Sequence, residues 1–322
     1  MIEPPSRTLA EIARPVASLV NGPRRPARVL GVYSPAAYLR VGARIVALTT
    51  VDAERLPFGL RLPFPSRPGG PLLGLEPPSR VTVGRGELTV ETAATSLVAC
   101  AGAVWDPRPL ASGLVWSAAG LRARLDALQR LLAEHAPPES LAALVGRAPT
   151  AAPAAPAAVD WRHRARRQLA RLTRALRRDD LPGVEAAARP LVGLGPGLTP
   201  SADDVLGGML AAGRFLGRDL EAERRRWRAA GLCIRRAARG QTTPVSEALL
   251  ACAATGAVGE SAGTLLRALV APDASRLAGA LARTLALGHT SGADVALGIL
   301  LGARLHLQAR AASAHTTEED AW

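Results

Sequence analysis

Lysine is absent from this chain, asparagine occurs once, at Asn21, and aromatic residues make up only 3% of 322 residues. Without lysine there is no P-loop phosphate site, whose cation is a lysine ammonium. With so few rings, the core has to be built from Leu, Val and Ala, and an alanine-rich helical half with close helix approach is expected. The three cysteines, Cys100, Cys233 and Cys252, are widely separated in apolar surroundings. That spacing excludes a disulfide framework and a zinc cluster and predicts buried free thiols. No basic start leads into an apolar signal core after Met1, and the longest apolar run near the C-terminus is too short for a bilayer, so a cytoplasmic protein is expected.

All 40 basic residues are arginine, and the formal net charge is +13. A basic chain concentrates on phosphate backbones. However, arginine without lysine is also what a GC-rich coding sequence produces whatever the function. Two runs stand out, Arg162–Arg178 with eight arginines and Arg224–Arg239 with seven. Both read as helices with arginine interleaved among Ala and Leu, and no aromatic interleaving for base stacking accompanies them. Such faces are solvated, paired with acids or docked on an acidic partner subunit. Nucleic-acid binding is not expected.

Period two dominates the first third of the chain. Arg28–Tyr33, Arg40–Thr49 and Val81–Val90 are β-rich, and VTVGRGELTV reads as a hairpin turning at Gly84, Arg85 and Gly86. Leu56–Pro78 is crowded with Pro and Gly and predicts extended loops. Helical spacing begins after Ser117, over Leu121–Glu134 and again at Leu141–Val145. Ala148–Ala158 holds almost only Ala, Pro and Thr and reads as a linker. Helices follow at about 161–178, 183–190, 203–217, 220–239, 244–255, 260–270, 274–287 and 292–310, broken at Gly or Pro. The expected class is α+β, with a β-rich domain (small sheet or barrel) over 1–117, a helical connection and linker over 118–158, an all-helical domain over 159–312 and a disordered tail over 313–322.

The chemistry concentrates at Gly193–Asp204, GLGPGLTPSADD. Gly193, Gly195 and Gly197 allow positive φ and close backbone approach, while Pro196 and Pro200 fix the loop. Ser201 and Asp204 have capping-box spacing, so a helix starting near Asp203 is expected to aim free N–H groups into the loop as an anion site. Asp203 and Asp204 oppose an anion there unless a cation, a substrate N–H or a proton intervenes. A second stretch, GHTSGADVALGILLG from Gly288, repeats Ser-x-x-Asp-Val-x-x-x-Gly, aligning Ser291, Asp294, Val295 and Gly298 with Ser201, Asp204, Val205 and Gly208. Two helix N-termini converging on one pocket are expected. Thr242–Ser246 is a third hydroxyl-rich helix start with Pro244 suited to its first position. Ordinary capping accounts for it, and for a loop histidine such as His289 equally well. His135, His163, His306 and His315 read as structural or exposed. Asp203, Asp204 and Asp294 form a candidate magnesium set, and nothing suggests a transition metal.

These two stretches resemble the AllH-type family, a domain of unknown function that includes one subunit of the oxamate carbamoyltransferase of allantoin breakdown. The family signature is similar to GLGPGLTPSGDD followed by a GHSSG-type stretch. Here Ala202 replaces the usual glycine, Thr290 the common serine and Ala293 a bulky aromatic, and Ala293 would enlarge a pocket it faced. The resemblance covers roughly residues 190–302. It implies carbamoyl transfer between carbamoyl phosphate and an oxamate-type acceptor in a multi-subunit enzyme. In that scheme Asp203, Asp204, His289 and Asp294 are the catalytic candidates. Gly193, Gly195, Gly197, Thr199 and Ser201 would hold phosphate or carboxylate, Thr290, Ser291 and Gly292 a second oxyanion cradle, and Thr243 and Ser246 further contacts. Mg2+ is the candidate cofactor, and other carbamoyltransferase subunits are the expected partners. A non-catalytic metabolite-binding or nucleotide-binding subunit remains the alternative reading.

Overall fold

The computed structural model describes residues 6–66, 71–75, 79–92, 96–109, 116–144 and 160–319. The chain divides into two compact units, Met1–Pro107 and Arg108–Trp322. The Ala/Pro stretch expected as a linker lies outside the described residues.

The first unit is a closed barrel. Its strands are β1 (Ser6–Ala13), β2 (Arg25–Val32), β3 (Ala36–Val41), β4 (Arg44–Thr49), β5 (Gly59–Arg61), β6 (Arg80–Gly84), β7 (Glu87–Glu91) and β8 (Ser96–Trp105). Around the barrel they run β1-β5-β4-β3-β2-β6-β7-β8, and β8 closes on β1 in parallel. Among the described strands, each has a partner on both sides. Alternation fills the interior: Leu88 and Val90 are buried while Thr89 faces outward more than either, and Leu39, Val46, Leu48, Leu60 and Val83 are fully enclosed. The expected hairpin forms, with Gly84 paired to Glu87 and positive φ at Arg85 (59°) and Gly86 (79°), the geometry of a two-residue primed turn.

Several features of this unit depart from expectation, among them strands β1 and β8, which lie outside the stretches read as β-rich. Helix α1 (Arg14–Val20) follows β1 directly, with Pro15 in its first turn. Within the Pro/Gly-rich 56–78 stretch, Gly59–Arg61 forms β5 and Leu72–Gly74 a 3-10 turn. The Arg40–Thr49 run is two strands, turned at Gly42 with φ 59°.

The second unit is helical: α2 (Ala118–His135), α3 (Asp160–Arg177), α4 (Leu181–Ala188), α5 (Ser201–Leu216), α6 (Glu221–Ala238), α7 (Pro244–Ala253), α8 (Glu260–Val270), α9 (Arg276–Leu285) and α10 (Ser291–Glu319). Leu121, Leu125, Leu128 and Leu132 give α2 one buried stripe, and Ser117 caps it by accepting from the Gly120 N–H at 3.0 Å. Helix α5 is buried almost all round and is the axis of the unit. It crosses α10 at a glycine contact. A Cβ on Gly208 would lie 2.2 Å from the Val295 carbonyl oxygen, and one on Gly298 would lie 2.1 Å from that of Val205. Only hydrogen fits at either position, so the backbones touch.

Helix α10 runs on to Glu319, beyond the end expected near residue 310 and through most of the expected tail. His306, read as structural or exposed, is structural: it is fully buried on α10 with Nδ1 3.3 Å from Glu223 Oε2. Burial alone would raise the Glu223 carboxyl, but His306 and Arg226 more than offset it and the net shift is downward. All three cysteines are free, but only Cys233 is buried; Cys100 and Cys252 are half-buried. Among the described residues, no helix is long and apolar enough to cross a membrane.

Candidate functional site

The glycine loop is held rigidly from below. Gly193, Gly195 and Gly197 adopt φ of 73°, 120° and 95°, conformations that side chains rarely tolerate. Asp203, on the first turn of α5, accepts from the Gly193 N–H at 2.9 Å through Oδ1. Through Oδ2 it accepts from the hydroxyls of Thr242 and Ser246, the latter at 2.7 Å. Thr243 caps α7 by accepting from the Ser246 N–H at 3.1 Å, and its hydroxyl donates to the Leu198 carbonyl at 2.6 Å. Asp203, Thr243 and Ser246 thus tie the loop to the start of α7. Burial nonetheless raises the Asp203 carboxyl above its ordinary range, outweighing the three bonds it accepts.

Two sequence expectations are corrected here. Ser201 and Asp204 form no capping box: α5 begins at Ser201, and Pro200 precedes it without a side-chain cap. Nor does the helix end offer a fan of free donors. The Ala202 N–H is taken by the Leu194 carbonyl at 3.0 Å, and those of Asp203 and Asp204 by Pro200 at 2.9 and 3.1 Å. These three N–H groups are already engaged, so an anion at this loop draws on other groups, side chains among them.

Those side chains come from both repeats. Thr199 Oγ1 and Ser291 Oγ lie 2.9 Å apart, joining the glycine loop to the start of α10. A cavity of about 550 Å³ opens above them, walled on one side by Pro196, Gly197 and Leu198 and on the other by His289 and Thr290. The remaining wall is Glu139, Trp161 and Arg162, which sequence reasoning missed. Arg162 supplies the guanidinium. It donates through Nη1 to the Pro138 carbonyl, which aims the head group while leaving its other donors. His289 is exposed, with Nε2 3.6 Å from Glu139 Oε2.

Beneath the floor lies a crossed pair of carboxylates. Ser291 of α10 sits against Asp204 of α5, and Ser201 of α5 against Asp294 of α10, each hydroxyl favouring the charged form of the acid opposite. The repeated motif therefore exchanges partners across the same crossing at which Gly208 and Gly298 exchange backbone contacts. Ser201 Oγ, Asp204 Oδ2 and Asp294 Oδ2 are buried without a hydrogen bond of good geometry. Burial drives the Asp204 carboxyl well above the usual range despite Ser291, and the negative charges of Asp294 and Asp203 add to the rise. Burial likewise takes Asp294 up to about 6, partly opposed by Ser201, by the Ala142 and Leu141 N–H groups and by Arg162. Asp294 Oδ1 accepts those two N–H groups at 2.7 Å from Leu141 and 3.2 Å from Ala142, so it also fastens the turn that carries Glu139.

The other sequence candidates serve the framework. A Cβ on Gly292 would strike the Thr284 carbonyl at 1.8 Å, and one on Gly195 would meet the Ser201 N at 2.8 Å. Ala202 and Ala293 are buried in the helical core, and Ala293 is not among the residues lining the cavity, so the condition for it to enlarge a pocket is not met. Asp203, Asp204 and Asp294 do not meet as one ligand set, because both oxygens of Asp203 face Gly193, Thr242 and Ser246. Among the described residues, no group of three or more His, Cys, Asp or Glu side chains is placed to hold a metal ion.

Residues 191–303 match the family model described as oxamate carbamoyltransferase subunit AllH. The helical unit therefore carries a segment similar to that family. The match takes in about a third of the chain and both repeats, as the resemblance of the signature stretches implies. It includes the glycine loop, Thr199, His289, Thr290 and Ser291, but leaves out Glu139, Trp161 and Arg162. No solved structure matches the chain.

Proposed function

We propose that the chain is a subunit of a carbamoyltransferase of the oxamate type, and that the cavity between the two repeats binds the substrates. The observation that carries this reading is the convergence of both AllH-family signature stretches on one cavity that also holds Arg162. In the forward direction an amide nitrogen of the acceptor attacks the carbamoyl carbon. The bond from that carbon to the phosphate oxygen breaks, and the nitrogen gives up a proton. The reverse reaction returns the carbamoyl group from oxalurate to phosphate.

Each demand has a residue in the cavity. Arg162 presents a planar fork to a carboxylate or phosphate. The Thr199 and Ser291 hydroxyls share one hydrogen bond, which leaves one O–H to donate to the carbonyl oxygen as charge develops on it, as an oxyanion-hole donor does. His289, beside Glu139, receives the nitrogen proton. Asp204 is a positioning residue that orients Ser291 from beneath, and Asp203 acts through the loop it fastens. Magnesium, where required, would find its oxygens at Asp204 and Asp294, whose Oδ2 atoms are unpartnered.

A second reading, a binding subunit whose site is completed by a companion chain, draws on the exposure of His289, whose side chain is 80% accessible. Thermal-shift measurements with phosphate, carbamoyl phosphate, oxamate, oxalurate and ATP, each with and without Mg2+, separate the two. A ligand that binds only the folded chain raises the Tm. The enzyme reading expects a rise with carbamoyl phosphate or oxalurate, and an affinity about ten- to a hundredfold weaker in Arg162→Gln, as for loss of one charge-assisted bond. No rise with any of the ligands overturns a complete site on this chain and leaves the second reading.

A further inference from the structure

Helix α3 and the residue that follows it carry a row of arginines that the cavity does not use. Arg164, Arg167, Arg171, Arg174 and Arg178 follow one another at spacings of three and four residues, and all are exposed. That spacing places them along one helical face. The opposite face holds Ala165, Leu169, Leu172 and Leu176, all buried. No Asp or Glu occurs between residues 161 and 178. Of the nearest acids further along, Asp179 pairs with Arg226 at 2.9 Å, and Asp180, at the margin of the face, caps α4 by accepting from the Gly183 N–H at 2.9 Å. GC-rich coding accounts for arginine in place of lysine but sets no bar to Asp or Glu, so it does not explain a face with one sign of charge. Like charges three and four residues apart destabilise a helix in isolation.

The row leads into a shaped recess. Between α3 and α4 a cleft of about 240 Å³ is lined by Gln168, Arg171, Arg174, Arg178, Asp180 and Gly183. Leu181, Pro182 and Ala186 lie exposed on α4 beside it, Leu181 with 38% of its surface accessible. Cations converging on a recess with an apolar margin suit a protein surface better than a phosphodiester strand, since no ring lies between Arg164 and Arg178 to stack on a base, and Trp161, a turn earlier, lines the other cavity.

We infer that this face of α3 docks an acidic segment of a companion protein, one of its carboxylate side chains entering the cleft among Arg171, Arg174 and Arg178. The inference is independent of the chemistry assigned to the cavity, from which none of these three arginines is drawn.

The test uses the full chain and fluorescein-labelled poly-L-glutamate, followed by anisotropy at physiological salt. The combined variant Arg167→Gln, Arg171→Gln, Arg174→Gln is compared with a variant of equal charge on and just after α6: Arg228→Gln, Arg235→Gln, Arg239→Gln. The α3 variant should bind about tenfold more weakly, as for three exposed charge pairs, and the α6 variant should stay close to the parent. Equal loss in both variants reduces the effect to net charge and overturns the inference. So does an absence of poly-L-glutamate binding, or duplex DNA binding more tightly than poly-L-glutamate through the same arginines. Melting curves without probe check the folding of the variants: removing adjacent like charges should leave the α3 variant's Tm at or above the parent's at low salt.

Discussion

Helices α5 and α10 begin with the same Ser-x-x-Asp-Val-x-x-x-Gly pattern, cross at the same glycine and put their aspartates to different uses. Asp294 Oδ1 holds two backbone N–H groups of the turn at Leu141 and Ala142. Asp204 holds none and lies against Ser291 and Thr199, the hydroxyls of the cavity floor. The serines diverge as well, Ser291 lining the cavity and Ser201 lying wholly beneath it. One repeat thus supports the scaffold and the other reaches the ligand. An internal repeat can fix a geometry without duplicating a role.

The sharpest way to break the comparison is at the crossing itself. Gly208→Ala and Gly298→Ala should each cost about 3 kcal/mol or more, since the added methyl meets a backbone carbonyl that has no rotamer to change. Denaturant unfolding of the two variants should give similar losses. A loss confined to one of them would show that the crossing is not reciprocal.

The pH dependence of stability comes next. Asp294 is raised in the folded chain from 3.8 to about 6. The folded state therefore binds the proton more tightly than the unfolded chain, and stability falls as pH rises from about 4 to about 6, by about 3 kcal/mol at most. Asp204 acts in the same direction. Asp294→Asn keeps an acceptor for Leu141 and Ala142 but has nothing to ionise, so its unfolding free energy should be flatter across that window. A variant as steep as the parent would assign the titration to another group.

The smallest effects separate the serines. Ser201→Ala and Ser291→Ala should each change stability by about 1 kcal/mol or less. Only Ser291→Ala should weaken the thermal shift produced by carbamoyl phosphate or oxalurate. Equal weakening by Ser201→Ala would extend the site below the floor.

What the sequence made legible follows from how local each signal is. The glycine loop, the helix starts and the GRG hairpin are set by neighbouring residues, and each stands within a few positions of its expected place. Strands β1 and β8 were not anticipated, because SRTLAEIA and SLVACAGAVW are rich in Ala, Leu and Gly and poor in β-branched residues. Strand β5 is three residues long within a stretch dense in proline. The third wall of the cavity was hidden for a different reason. Arg162 is one of eight arginines in its run, Glu139 lies in an aperiodic connection, and tertiary packing alone brings them opposite Thr199. Sequence likewise left open whether His306 is structural or exposed, because its partner Glu223 is 83 residues away.

The three bonds to Asp203 also bear on how fast the cavity fills. A loop pinned at Gly193, and through Thr242 and Ser246 to a neighbouring helix, has little left to order when a ligand arrives. Association should then be a single collisional step whose rate rises linearly with ligand concentration, with no plateau from a slow rearrangement. Loosening the pin, as in Asp203→Ala, should introduce that plateau while leaving the cavity's own side chains untouched.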